Sequence, residues 1–149
     1  MQSIYDSSTV SSFYQRIEKL SATTPSQWGK MDVAQMLAHC SIPLEGAVSD
    51  APIRKTLMAM VFGRVAKPAA TNEVPFKKNL PTARDFVVSA PSNFEQEKQR
   101  LKKAIARFSE TGAAAMDNRP HPFFGKLTAT EWSNLMVKHL DHHLRQFGA

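Results

Sequence analysis

Apolar residues recur every three or four positions in several stretches of the chain, which is the pattern of helices with one buried face. The first such stretch predicts a helix over about residues 8–21. Its apolar positions are Val10, Phe13, Ile17 and Leu20.

The second stretch has a well-marked beginning. Asp32 is placed to cap the backbone N–H groups of a helix, while the side chain of Gln35 reaches back to it. Met31 and Met36 occupy the two positions of a hydrophobic staple. We therefore predict a helix over residues 33–48.

Two later segments repeat the capping-box spacing. Ser92 with Glu95 opens a third helix that extends to about residue 110, and Gly112 offers a stop after it. Thr128 with Glu131 opens a fourth helix over residues 129–147.

The segment between the second and third helices is rich in proline, which excludes one continuous helix there. A short helix over residues 53–65 is compatible with its apolar spacing, and an extended crossover is expected for the remainder. A long crossover lets the two flanking helices run parallel. With 149 residues, the chain is expected to form one domain over residues 1–149. The prolines are Pro52, Pro68, Pro75, Pro81 and Pro91.

Three of the five histidines lie in the fourth predicted helix, in the run KHLDHHLRQFG. At about 100° per residue, His139 and His143 are only about 40° apart and share the apolar side of that helix. His142 lies at the boundary of this side. Lys138 and Asp141 belong to the opposite, polar side, so Asp141 is a poor candidate for a metal ligand.

Two imidazoles one helical turn apart can bind the same metal ion. A third ligand must then come from another helix, and His39 flanks the apolar stripe of the second helix. Buried histidines that are satisfied by hydrogen bonds are the alternative, and spacing alone leaves both open. Cys40, the single cysteine, points about 100° away from His39 and is interpreted as a core residue.

His121 lies between Pro120 and Pro122, which favour an extended loop before the fourth helix. Either HPFFG is a packed loop in which Phe123 and Phe124 are buried, or His121 lies at the mouth of a pocket. The further candidate pocket residues are His142, Trp132 and Met36.

The formal charge of +6 and the pI near 9.7 favour anionic partners. The basic residues are dispersed, however, and no nucleic-acid-binding motif accompanies them, so nucleic acid is not the expected partner. No apolar segment reaches the 18 residues of a membrane span, and the polar first residues lack the order of a secretory signal. We expect a cytoplasmic protein without a membrane partner.

Three segments together resemble a known family: WGKMDVAQMLAHCS, HPFFGKLTATEW and KHLDHHLRQFG. They are similar to the DinB and YfiT-like superfamily, and most closely to an uncharacterised branch of it, a domain of unknown function. The similarity covers nearly the whole chain. It implies an all-α four-helix bundle in up-down-down-up order that often forms homodimers. It also implies a divalent metal, zinc or nickel, held by His39, His139 and His143.

The superfamily includes thiol-dependent transferases and isomerases that use bacillithiol, mycothiol or glutathione. The resemblance therefore implies a metal-dependent enzyme for a small molecule, with transfer of a low-molecular-weight thiol favoured over hydrolysis. No general base is visible in the sequence beyond the three histidines. A non-catalytic metal-binding module for stress response or protein interaction is accordingly the alternative.

Overall fold

The computed structural model describes residues 2–51, 57–80, 88 and 93–149, and for residues 57–60 it gives the helical backbone only. This part of the chain is mainly helical, as predicted, with one short β-hairpin. No helix in it is both long and apolar enough to cross a membrane. In chain order the elements are α1 (Ser7–Glu18), α2 (Val33–Val48), α3 (Leu57–Thr71), α4 (Phe94–Met116), β1 (Arg119–His121), β2 (Gly125–Leu127) and α5 (Ala129–Gln146).

The core lies where α2 packs along α4, with α1 and α5 against them. α3 packs on α5 and on the hairpin. The apolar stripes predicted from sequence face inward, because burying them removes apolar surface from water. Fully buried side chains come from all four core helices, among them Ile17, Leu37, Leu44, Leu101, Ile105 and Trp132.

The two helices that carry the histidines begin where capping residues predict. Gln35 N donates to Asp32 Oδ1 at 2.8 Å, and Asp32 N donates to Gln35 Oε1 at 3.0 Å. Thr128 and Glu131 form the same reciprocal pair at the start of α5. α2 has the predicted bounds, and α5 ends at Gln146, one residue earlier than predicted.

The ends of the other core helices differ from prediction. α1 ends at Glu18 rather than at residue 21. The N-cap of α4 is Asn93, whose side chain accepts from Gln96 N at 3.0 Å, whereas Ser92 lies outside the described residues. Gly112 interrupts α4 with φ 79° and ψ 158°, but helical turns continue to Met116. The side chain of Met116 is fully buried, and this anchors the turns beyond the break.

α3 ends at Thr71, beyond the helix predicted over residues 53–65, and residues 53–56 of that prediction lie outside the described residues. It passes through Pro68 and is held at several points along its length. Lys67 Nζ lies 2.9 Å from Glu131 Oε2 on α5 and donates to the Lys126 carbonyl at 2.9 Å. Gly63 lies directly against the Phe123 carbonyl, so close that a Cβ atom would collide with it.

The loop predicted around His121 is a β-hairpin, with Arg119 paired to Leu127 and His121 to Gly125. His121 Nδ1 accepts hydrogen bonds from Phe123 N at 3.0 Å and from Phe124 N at 3.1 Å, which closes the turn. The expectation that both phenylalanines are buried is wrong for Phe123, which is exposed, while Phe124 packs partly buried against the core.

Candidate metal centre

α2 and α5 bring three imidazoles together, and we call His39, His139 and His143 the histidine cluster. His39 Nε2 lies 3.0 Å from His139 Nε2. One potential ligand atom from each of the three histidines lies within 4.8 Å of the others. His139 and His143 meet because they are one turn apart on α5, and His39 reaches them because α2 packs against α5. The predicted triad is thus close together in space.

The surroundings of the histidine cluster favour neutral rings. His39 and His143 are buried and His139 is partly exposed. Burial lowers the pKa of His143 to about 4, and the neighbouring His39 acts in the same direction. Burial, together with the adjacent histidines, also holds the pKa of His139 well below its usual value. At neutral pH His139 and His143 therefore offer lone pairs rather than positive charges.

The donor set fits a divalent transition metal. Neutral imidazole nitrogen is a ligand for zinc, nickel, copper and iron alike. Zn–N distances of about 2.0–2.1 Å place two ligands of a tetrahedral ion about 3.3 Å apart, close to the 3.0 Å between His39 Nε2 and His139 Nε2. The cluster found among the described residues contains no carboxylate or thiolate. Three histidines could therefore hold an ion, and other positions around it would be left for a further ligand.

Gln146 supports the histidine cluster from behind. Its Oε1 lies 2.8 Å from His143 Nδ1, and its Nε2 donates to the Trp28 carbonyl at 2.6 Å. Neither Gln146 nor Trp28 is among the candidate site residues predicted from the sequence. Gln146 is one turn beyond His143 on α5, which is the available signal, but the partner in the loop before α2 is visible only in the tertiary structure.

His142 lies beside the cluster rather than in it. Its ring packs edge-on against Trp28 at 5.7 Å and against Phe76 at 6.0 Å, between ring centroids. Its centroid is 5.0 Å from that of His143. Lys78 Nζ lies 4.4 Å from the centroid of the Trp28 ring. An aromatic wall with a cation at its edge thus extends from the histidines towards the surface.

Two other candidate pocket residues, Trp132 and Met36, are buried in the core. Trp132 Nε1 donates to the Arg119 carbonyl at 3.1 Å, and its ring packs against His121 and Phe108. Met36 is fully buried, with Cys40 Sγ 3.8 Å from its sulfur. Burial raises the pKa of the Cys40 thiol, which agrees with its interpretation as a core residue.

The polar side predicted for α5 requires one correction. Asp141 does reach the surface, where it pairs with Arg16 at 3.0 Å and with Arg145 at 3.2 Å. Lys138 is buried instead, and its Nζ donates to the Ala69 carbonyl at 2.7 Å and to Asn72 Oδ1 at 2.8 Å. A helical wheel considers only one helix, so it could not show that α3 covers this side of α5.

Comparison with known proteins adds a family but no activity. A family model described as "Protein of unknown function (DUF1569)" matches residues 6–149. No curated protein and no solved structure matches the chain.

Proposed function

This chain belongs to the DUF1569 family, a family of unknown function, and we propose that it is a divalent-metal-dependent enzyme whose metal is held by His39, His139 and His143. The observation that carries the proposal is the convergence of three ring nitrogens from α2 and α5 within 4.8 Å. Neutral imidazole nitrogens that converge in this way from two helices are a ligand set that can bind one divalent cation together.

We further propose that the fold is the DinB-like four-helix bundle, in up-down-down-up order. In this proposal α1, α2, α4 and α5 are its four helices, and α3 belongs to the Pro-rich crossover between the second and third of them. Support comes from the packing of those four helices around one core and from the sequence resemblance. The resemblance also implies a homodimer, which light scattering after gel filtration tests directly.

Three neutral ligands leave the charge of a bound dication uncompensated by the protein. Zinc or nickel in such a site supplies a Lewis acid that lowers the pKa of a thiol or of water and so makes a nucleophile available at neutral pH. The protein would determine where the metal ion lies and which ligands are buried. His39 and His143 are the buried ligands, and His139 is partly exposed.

Thiol transfer is the reaction that we favour over hydrolysis, because of the aromatic wall beside the cluster. Lys78 Nζ lies over the Trp28 ring, which packs against His142 beside the cluster, so this wall carries a cation that can attract a carboxylate of a thiol such as glutathione. Hydrolysis, in which water is the nucleophile, does not require a cation that binds the carboxylate of a thiol.

Metal and thiol binding can be tested on the purified protein. We expect zinc or nickel to raise the melting temperature, and glutathione, bacillithiol or mycothiol to raise it further only when the metal is present. His39→Ala should abolish both effects. His121→Asn is the control, because it removes a histidine that lies outside the cluster. Metal binding without any thiol response would instead favour hydrolysis, and a protein that binds neither metal contradicts the proposal.

The burial of His39 and His143 favours a second candidate, a non-catalytic module in which the metal stabilises the fold. Structural sites are closed, whereas catalytic sites keep an open coordination position. Cobalt(II) substituted for the native metal distinguishes them. If the site is open, adding a thiol or azide changes the visible absorption of the cobalt protein. An unchanged spectrum with every added ligand supports the stabilising module.

A further inference from the structure

The side chain of Gln146 connects the histidine cluster to the loop that precedes α2. It is buried, and it touches His143 through Oε1 and the Trp28 carbonyl through Nε2. The Gln146 carbonyl also accepts from Gln27 N at 2.8 Å. Both its backbone and its side chain are therefore held by this loop, and the amide has little freedom to turn.

These contacts determine the orientation of the Gln146 side-chain amide, that is, which partner its nitrogen faces and which its oxygen faces. The Trp28 carbonyl can only accept a hydrogen bond, so the amide nitrogen of Gln146 must face it. The amide oxygen then faces His143, and it too can only accept. His143 Nδ1 therefore carries a hydrogen and donates it. In a neutral imidazole this leaves the lone pair on Nε2.

We propose that Gln146 is a positioning residue that holds His143 as the Nδ1–H tautomer and so keeps the lone pair on Nε2, the nitrogen that then remains to bind a metal ion. A neutral histidine in water prefers the opposite tautomer, with the hydrogen on Nε2. Without Gln146, that nitrogen of His143 would more often carry a hydrogen and be unable to bind a cation. The inference rests on the proposed metal site, because the tautomer matters most when Nε2 is a ligand.

Gly29 makes room for this arrangement. Its φ of 82° lies in the left-handed region, which glycine adopts without strain. A Cβ atom at this position would also collide with Gln146 Nε2. Because that atom is the end of a flexible side chain, Gly29→Ala is expected to displace the amide. A substitution outside the histidine cluster should therefore alter the tautomer of His143.

Two substitutions at position 146 separate the tautomer from the link to Trp28. Gln146→Met removes both hydrogen bonds. Gln146→Glu keeps an oxygen that accepts from His143 Nδ1 but loses the hydrogen donated to the Trp28 carbonyl. We expect Gln146→Met to weaken zinc binding by about 10–100-fold, whereas Gln146→Glu restores most of the affinity. Equal losses in both variants would overturn the inference, because they would assign the effect to the Trp28 link.

The tautomer can also be read without any metal. Long-range ¹H–¹⁵N NMR of the metal-free protein should show the hydrogen of His143 on Nδ1 in the wild type and in Gln146→Glu. In Gln146→Met it should shift towards Nε2, and circular dichroism of each variant verifies that it is folded. A wild-type His143 with its hydrogen on Nε2 contradicts the inference. Absence of zinc binding by the wild type contradicts the proposed function instead, so the two failures are distinguishable.

Discussion

His39 Nε2 and His139 Nε2 lie 3.0 Å apart, although 100 residues separate them in the chain. Two ring nitrogens at this distance either share one hydrogen or direct two lone pairs at the same cation. The third imidazole, His143, is in contact with both rings. Because of this arrangement, substitutions on α5 can test which of its histidines are metal ligands.

Two histidines on α5, His139 and His142, should respond differently to the same substitution. His139→Leu removes a proposed ligand, and we expect the affinity for zinc to fall by more than about 100-fold. His142→Leu leaves the three ligands in place and should change that affinity by less than about tenfold. Isothermal titration with zinc measures both. Equal losses in the two variants would show that the helical-wheel assignment of the ligands is wrong.

Acid should destabilise the protein partly through His121. Burial lowers the pKa of His121 from 6.5 to about 4, so between these values the unfolded chain binds the proton and the folded chain does not. The contribution of neutral His121 to the free energy of unfolding is complete above pH 6.5 and is lost as the pH falls towards 4. At about 1.4 kcal/mol per pKa unit, its full size is about 3 kcal/mol.

His121→Asn tests this acid dependence. Asparagine can still accept from the backbone of the turn but does not titrate. Urea unfolding at several pH values should therefore show a shallower loss of stability below pH 6.5 in the variant than in the wild type, in which the pKa of His121 is about 4. Parallel pH profiles would contradict the prediction.

Lys138 should stabilise the packing of α3 on α5. Its ammonium group donates to the Ala69 carbonyl and to Asn72 Oδ1, and Lys138→Met leaves these acceptors without that donor. We expect the free energy of unfolding to fall by about 1–3 kcal/mol. Lys102→Met is the control, because it breaks a more exposed ion pair with Glu18 that is expected to contribute about 1 kcal/mol or less. A smaller loss at Lys138 than at Lys102 would contradict this prediction.

Two glycines in helices should respond in opposite directions to alanine. Gly63→Ala places a Cβ against the Phe123 carbonyl, so the hairpin must separate from α3 and the protein is expected to lose stability. Gly46→Ala meets no atom within 4 Å on the exposed side of α2, and we expect it to gain about 0.5–1 kcal/mol. Thermal unfolding compares the two. A neutral Gly63→Ala variant would show that the contact with Phe123 does not constrain α3.

Local sequence determined the beginning of the two helices that carry the cluster. The capping boxes at Asp32 and Thr128 join residues three apart in the chain. The interactions that define the N-terminus of each helix are therefore encoded within one turn. The same local logic placed His139 and His143 on one side of α5. It was less reliable for α4, where Asn93 and not Ser92 is the N-cap and helical turns resume beyond Gly112.

Only the tertiary structure decided which groups meet these helices. Spacing along the chain could not select His39 as the third histidine, and the resemblance to a known superfamily supplied that expectation. The burial of Lys138 and the contact of Gln146 with the Trp28 carbonyl depend on segments that are distant in sequence. Periodicity reports which face of a helix is apolar, whereas the element that covers that face, and the hydrogen bonds it brings, follow from packing.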